Sequence, residues 1–209
     1  MTYTPPNEVD GTVPVALASH VRLSTMRFTE LALAGAYAID IDPHRDARGF
    51  FARTWSADEL AEHGLSTQLA QCSISFNERR GTIRGMHFQE APYQEIKLVR
   101  CTAGAIVDVI LDLRPASLTF TKWVSVELTA ANHRSVYIPA GLAHGFQTIA
   151  EGSEVFYQIS TSHRPDAARG VRWNDPTFQI EWPDPHSPIL SERDRGYPDF
   201  RPEIARDTR

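Results

Sequence analysis

The chain has 209 residues, with 21 lysines and arginines against 26 aspartates and glutamates and a formal charge of −5 at pH 7. With 42% hydrophobic and 22% charged residues it has the composition of an ordinary globular protein, and its length suits one domain with extensions. No basic stripe is available to displace phosphate counterions, which argues against a nucleic-acid partner; a few arginines in one cleft could still bind an anionic small molecule. Cys72 and Cys101 are the only cysteines. They lack the spacing of a zinc site or a disulfide framework and read as two buried free thiols. The N-terminus carries neither a basic region nor an apolar run long enough for a signal peptide or a membrane span, so a cytoplasmic setting without a membrane partner is expected.

Residues 1–24, rich in proline, threonine and small side chains, read as a flexible arm, 25–195 as the folded domain and 196–209 as a C-terminal tail. RFTELALAGAYAIDI, from Arg27, holds short apolar runs broken by Gly35; PHRDARG (43–49) reads as a turn and FFARTW as the next strand. One helix is predicted: Ser56 and Glu59 have capping-box spacing, and Gly64 stands where a C-terminal cap would end it. KLVRC, the turn Thr102-Ala103-Gly104 and AIVDVILDLR predict a hairpin. In KWVSVELT, Val124, Val126 and Leu128 alternate with Trp123, Ser125 and Glu127, as suits a strand with one face on a core. SVYIPAGLAHGFQTIA and EVFYQIST continue the series, with Val155, Tyr157 and Ile159 on one face, and WNDP and WPDP mark loops. Turn signals recurring every 8–12 residues or so predict an all-β sandwich or barrel. Asp108 and Asp112 share a strand face; pairing with arginines or capping a turn is expected of them rather than acid–base work.

Pro139, Gly141 and His144 match the second motif of the cupin superfamily, a double-stranded β-helix or jelly roll. In metal-binding cupins that histidine joins a His-x-His pair from an earlier strand. Here His87 is followed by Phe88 and Gln89, so the three ligands of a catalytic metal are not in sight, and no metal or other cofactor is expected. RGFF (48–51), GTIRGMHFQ (81–89), KLVR (97–100), VDVILDLR (107–114), IPAGLAHGF (138–146), VFYQ (155–158), WNDP (173–176), EWP (181–183) and SERD (191–194) occur in one order. In these motifs the chain resembles the dTDP-4-dehydrorhamnose 3,5-epimerases, metal-free cupins acting on nucleotide-linked 4-keto-6-deoxy sugars.

The resemblance implies a jelly roll with a few short peripheral helices, a homodimer, a nucleotide-sugar substrate and a place in making sugars for polysaccharides or glycosylated products. It also implies roles for single residues. His87, in the RGxH segment, is the base, Asp194 of SERD its orienting carboxylate, and Tyr157 the acid. Lys97 lies near the keto oxygen, His144 and Arg84 occupy the substrate pocket, and Arg48 and Gln71 hold substrate. The chemistry suits these residue types: removing a proton next to a ketone needs a base and a group to stabilise the enolate, and inversion needs a second group to return a proton to the other face.

The chain departs from the family where a nucleotide would be read. Arg53 replaces an acidic residue, Gln158 a lysine, Ser162-His163 an aromatic pair, and Ser73 stands near where an asparagine is usual. Two other readings stay open at this level: a non-catalytic nucleotide-sugar-binding cupin, and a metal-dependent cupin oxygenase or isomerase.

Overall fold

The computed structural model describes residues 25–201; the arm read at 1–24, and the tail from 202 on, lie outside them. The elements are β1 (Arg27–Glu30), β2 (Tyr37–Asp40), β3 (His44–Asp46), β4 (Gly49–Phe51), α1 (Ala57–Glu62), β5 (Gln71–Asn77), β6 (Ile83–Gln89), β7 (Lys97–Ala103) and β8 (Ala105–Asp112), followed by β9 (Trp123–Thr129), β10 (Ser135–Ile138), β11 (Leu142–Thr148), β12 (Ser153–Ile159), β13 (Ala168–Gly170) and α2 (Glu192–Arg195). A six-stranded sheet has the order β1-β2-β10-β7-β12-β5, and a five-stranded sheet the order β13-β6-β11-β8-β9. All pairings between these strands are antiparallel. The two sheets enclose a core of alternating side chains, among them Val99, Ile106, Ile110, Leu128, Phe146 and Val155, each contributing about 1.5–3 kcal/mol by burial. This is the all-β jelly roll expected.

β8 is buried on both faces. Ile106 and Ile110 point into that core, while Val109 and Leu111 join Phe178, Trp182 and Phe200 in a second cluster under the five-stranded sheet. That cluster draws in residues 196–201, assigned to the tail by sequence: Phe200 is buried and its N–H donates to Asp175 Oδ2 at 2.6 Å. Helix α1 lies outside the six-stranded sheet with Leu60 packed beside Ile39, Leu98 and Tyr137. Ser56 Oγ accepts from the Glu59 N–H at 3.4 Å, as the capping spacing predicts, and Gly64 follows at a positive φ.

Three sequence readings need correction. β7 and β8 do not form a hairpin; they belong to different sheets, and the chain turns a corner at Gly104. Gly104 has φ +71, and a Cβ there would collide with Ser153, whose Oγ bonds both N–H and C=O of Ala105. A glycine turn between two apolar runs looks the same whether the runs pair or part, and the difference rests on this distant serine. PHRDARG is not only a turn, because its ends are β3 and β4 of a small hairpin. Cys101 is buried, whereas Cys72 is exposed on edge strand β5; both are free.

Asp112 behaves as expected. Its buried carboxylate accepts from Arg114 Nε and Nη2 at 2.9 and 2.8 Å and from Ser117 and Thr119 hydroxyls at 2.6 Å each. Burial alone would raise its pKa, but these donors hold it at about 2 against an ordinary 3.8. The folded state thus binds this proton less tightly than the unfolded chain. Its stabilisation is complete above pH 3.8 and is lost as pH falls towards about 2, to the extent of about 2 kcal/mol. Asp112→Asn is expected to lower stability at pH 7 by that order and to flatten the acid limb; equal urea midpoints for the two proteins at pH 7 would contradict this.

Candidate active site

A cavity of about 590 Å³ opens between the two sheets at one end of the sandwich, within the size range of small-molecule sites. Gln71, Arg84, His87, Lys97, His144, Tyr157 and Asp194 all line it. Seven of the eight residues singled out from sequence are therefore neighbours, drawn from β5, β6, β7, β11, β12 and α2. Arg48 is the exception: it sits in the β3–β4 turn, its side chain is 90% exposed, and it pairs with Asp46. The two-residue turn ties it to its own hairpin rather than to this cavity.

The histidines stand side by side because β6 and β11 approach unusually closely. His87 is opposite His144 in the register. A Cβ on Gly85 would lie 2.5 Å from Gly145 Cα, and one on Gly145 would lie 2.7 Å from Met86 Sδ, so glycine is required on both strands. Each histidine has its own carboxylate. His87 Nε2 donates to Asp194 Oδ1 at 2.7 Å, which leaves Nδ1 with the free lone pair. Asp194 is itself fixed: Gly85 N–H donates to its Oδ2, and its own N–H donates to Ser191 Oγ at 3.1 Å. Its segment is pinned to β6 by backbone bonds between Ile189 and both Gly81 and Ile83. Burial would raise the Asp194 pKa, but the hydrogen bond and charge of His87 prevail and hold it below the ordinary carboxylate value.

His144 Nε2 donates to Asp108 Oδ2 at 2.6 Å, and both side chains are almost fully buried. Asp108 therefore pairs with a histidine and not with an arginine, a correction to the sequence reading; its even spacing from Asp112 does aim both into the barrel. Tyr157 faces the histidines from the other sheet, its ring 6.0 Å from that of His144. Burial first, and then the Asp108 charge, push the tyrosine pKa well above its ordinary value, with Arg84 opposing. Tyr157 keeps its proton.

Arg84 is held by Asn77 Oδ1 at 2.7 Å and Phe76 C=O at 3.4 Å, both neutral, so neither offsets its charge. Lys97 Nζ meets Glu95 Oε1 at 2.8 Å. Gln71 Oε1 accepts from the His163 N–H at 3.4 Å, and His163 lies at the same cavity. The wall also contains Glu95, Arg169 and Arg193, none anticipated. Glu95 alone carried a usable signal, two residues from Lys97 and hence on the same face. Tyr197 was also missed; its ring edge meets the His87 imidazole with centroids 6.3 Å apart.

The departures at the nucleotide-reading positions divide. Arg53 does not face the cavity: it pairs with Glu59, whose other oxygen accepts the Met26 N–H at 2.7 Å, and so ties α1 to the start of β1. Gln158 alternates with Tyr157 and faces the outer side of the sheet beside Trp55 and Tyr137. Of these, His163 and Ser73 adjoin the cavity. Among the described residues no three His, Cys, Asp or Glu side chains converge to hold a metal, and no helix is long and apolar enough to cross a membrane.

A family model described as dTDP-4-dehydrorhamnose 3,5-epimerase matches residues 30–202. The dTDP-4-dehydrorhamnose 3,5-epimerase of Sinorhizobium fredii is 36% identical over 176 residues, covering 84% of this chain and 90% of that protein. The Bacillus anthracis dTDP-4-dehydrorhamnose 3,5-epimerase, solved with TDP and PPi bound, has a TM-score of 0.81 at 38% identity over 84% of this chain and 100% of its own. A 3'-monoepimerase from Streptomyces bikiniensis, in complex with dTDP-quinovose, has a TM-score of 0.76 at 31% identity over 81% and 85%. Sequence motifs, jelly roll and similarity over most of the chain agree, and the chain belongs to the dTDP-4-dehydrorhamnose 3,5-epimerase family.

Proposed function

We propose that this enzyme inverts C3, C5 or both of a dTDP-linked 4-keto-6-deoxyhexose, with His87 as base and Tyr157 as acid. The observation that carries the reading is that the two groups come from opposite sheets, His87 on β6 and Tyr157 on β12, and border one cavity. A sugar ring between them would lose a proton to one face and regain one on the other, which is what inversion requires. His87 Nδ1 takes the proton α to the ketone, and Asp194 stabilises the imidazolium. Electron density moves onto the C4 oxygen, where Lys97 offers a fixed positive charge. Tyr157, holding its proton, delivers it to the opposite face. The protonated His87 and the tyrosinate then return to their resting forms through solvent. The ketone itself acidifies the C–H bond, so these steps call on no metal or organic cofactor.

Arg84, lacking a carboxylate partner among its bonds, suits the diphosphate, with Gln71 and His144 as further substrate contacts. Incubation with dTDP-4-keto-6-deoxyglucose followed by assignment of the product configuration tests the reading. Inverted C3, C5 or both is expected. Substrate bound tightly but recovered unchanged would favour a binding protein instead.

Arg48 acquires a substrate role only in a homodimer, where the hairpin of one copy reaches the cavity of the other. Supporting this are Phe50 and Phe51 on that hairpin, 42% and 68% exposed, and Ile74 and Phe76 on edge strand β5, 63% and 56% exposed, an apolar surface unusual for a monomer. Arg48→Ala is expected to raise KM about tenfold, the loss of one charge-assisted hydrogen bond, with little change in kcat. A monomer by light scattering, or an unaltered KM, would sink this assignment. We assign the enzyme to the cytoplasm, where reducing conditions keep Cys72 and Cys101 as thiols.

A further inference from the structure

We infer that Glu95 is a positioning residue for the reaction: it holds Lys97 in an ion pair and aims its ammonium group at the C4 oxygen. The inference rests on Lys97 acting on the developing enolate. Glu95 Oε1 lies 2.8 Å from Lys97 Nζ, and the side chains are only 11% and 9% exposed, respectively. Both border the cavity. Ile96, between them, packs to the other side with Leu98 and Tyr137, so Glu95 and Lys97 share the inward face.

The backbone carrying Glu95 is rigid. Ile96 N–H donates to Ser160 Oγ at 2.8 Å, Ser160 N–H donates back to Ile96 C=O at 3.0 Å, and Thr161 Oγ1 donates to Gln94 C=O at 3.1 Å. Glu95 is thus locked to the end of β12, the strand that bears Tyr157. The other carboxylates near the cavity already have partners: Asp194 with His87, Asp108 with His144, Glu90 with Arg169. A further negative charge in a cavity for a diphosphate-linked ligand opposes binding. It is explained if its work is on Lys97. The ion pair fixes the direction of the ammonium group, and one N–H held by Glu95 leaves two to meet the ketone oxygen; without it the amine is free to turn and react.

This assigns Glu95 an effect on turnover opposite in sense to its effect on binding. Removing Lys97 as Lys97→Met is expected to lower kcat about a hundredfold, the scale of losing one oxyanion donor, and Glu95→Gln to lower it by at least about tenfold. KM for the nucleotide sugar should stay level or fall in Glu95→Gln, because a repulsive charge has gone. Glu95→Asp should recover part of kcat, and Glu95→Gln should add nothing in the Lys97→Met background.

A second readout needs no turnover. The chain has two lysines, Lys97 and Lys122, so trace acetylation with acetic anhydride followed by peptide mass spectrometry reports Lys97 with Lys122 as internal reference. Acetylation of Lys97 relative to Lys122 is expected to rise severalfold in Glu95→Gln and to return towards wild type in Glu95→Asp. An unchanged labelling ratio, or additive kcat losses in the double variant, would overturn the inference. Wild-type protein that labels as expected but does not turn over substrate would reject the epimerase reading while leaving the Glu95–Lys97 coupling standing.

Discussion

His87→Ala is expected to lower turnover about 10³–10⁴-fold, the upper range for a general base, while dTDP binding stays close to wild type. The size of the loss follows from the geometry around the ring. Asp194 takes the Nε2 proton at 2.7 Å, so the tautomer that presents a lone pair on Nδ1 is the one held in place, and Gly85 N–H and Ser191 Oγ hold the carboxylate in turn. The neighbouring His144 is also paired with a carboxylate but is only 5% exposed, against 39% for His87, so His87 is the imidazole open to the substrate. Asp194→Asn should fall in the same direction, through the wrong tautomer and loss of imidazolium stabilisation. Because Asp194 is held below the ordinary carboxylate pKa of 3.8, it stays ionised from neutral pH down to that value. Acid loss of activity above it then does not arise from Asp194. Turnover by His87→Ala within a few fold of wild type would remove His87 from the mechanism.

Tyr157→Phe separates the two half-reactions. The ring stays, the proton donor goes, and His87 can still remove and return a proton on its own face. Solvent exchange at the α-carbon is therefore expected to persist, while inverted product falls about 10³-fold, the contribution of a well-placed general acid. The raised tyrosine pKa has a physical source in burial and in the Asp108 charge behind His144, and it makes Tyr157 a donor rather than a base. Equal loss of exchange and inversion would mean that Tyr157 only positions the sugar.

Most of the cavity lining was legible because its polar residues sit in short segments of fixed order. RGMH, KLVR, PAGLAH and SERD each bring at least one polar side chain to the cavity, and the jelly roll brings the segments to one end. The capping spacing of Ser56 and Glu59 and the alternation around Val126 were equally readable, being local. What could not be read is non-local. The corner at Gly104 depends on Ser153, 49 positions away in sequence. Asp108 was paired with the wrong kind of partner because its histidine lies on another strand. Arg53 looked like a change in nucleotide recognition, yet its charge is spent on Glu59 of α1. Arg48 belongs to the right motif but does not line its own cavity, because the short β3–β4 turn ties it to Asp46 of its hairpin.

The most direct test of the account is proton NMR of the wild-type protein with dTDP-4-keto-6-deoxyglucose in deuterated water, following the hydrogens at C3 and C5. Base and acid on facing sheets predict that the C3 signal, the C5 signal or both disappear, with deuterium found in the inverted product. Retention of both hydrogens over many turnovers' worth of enzyme, with the ligand demonstrably bound, would contradict enolisation by His87 and with it the central claim.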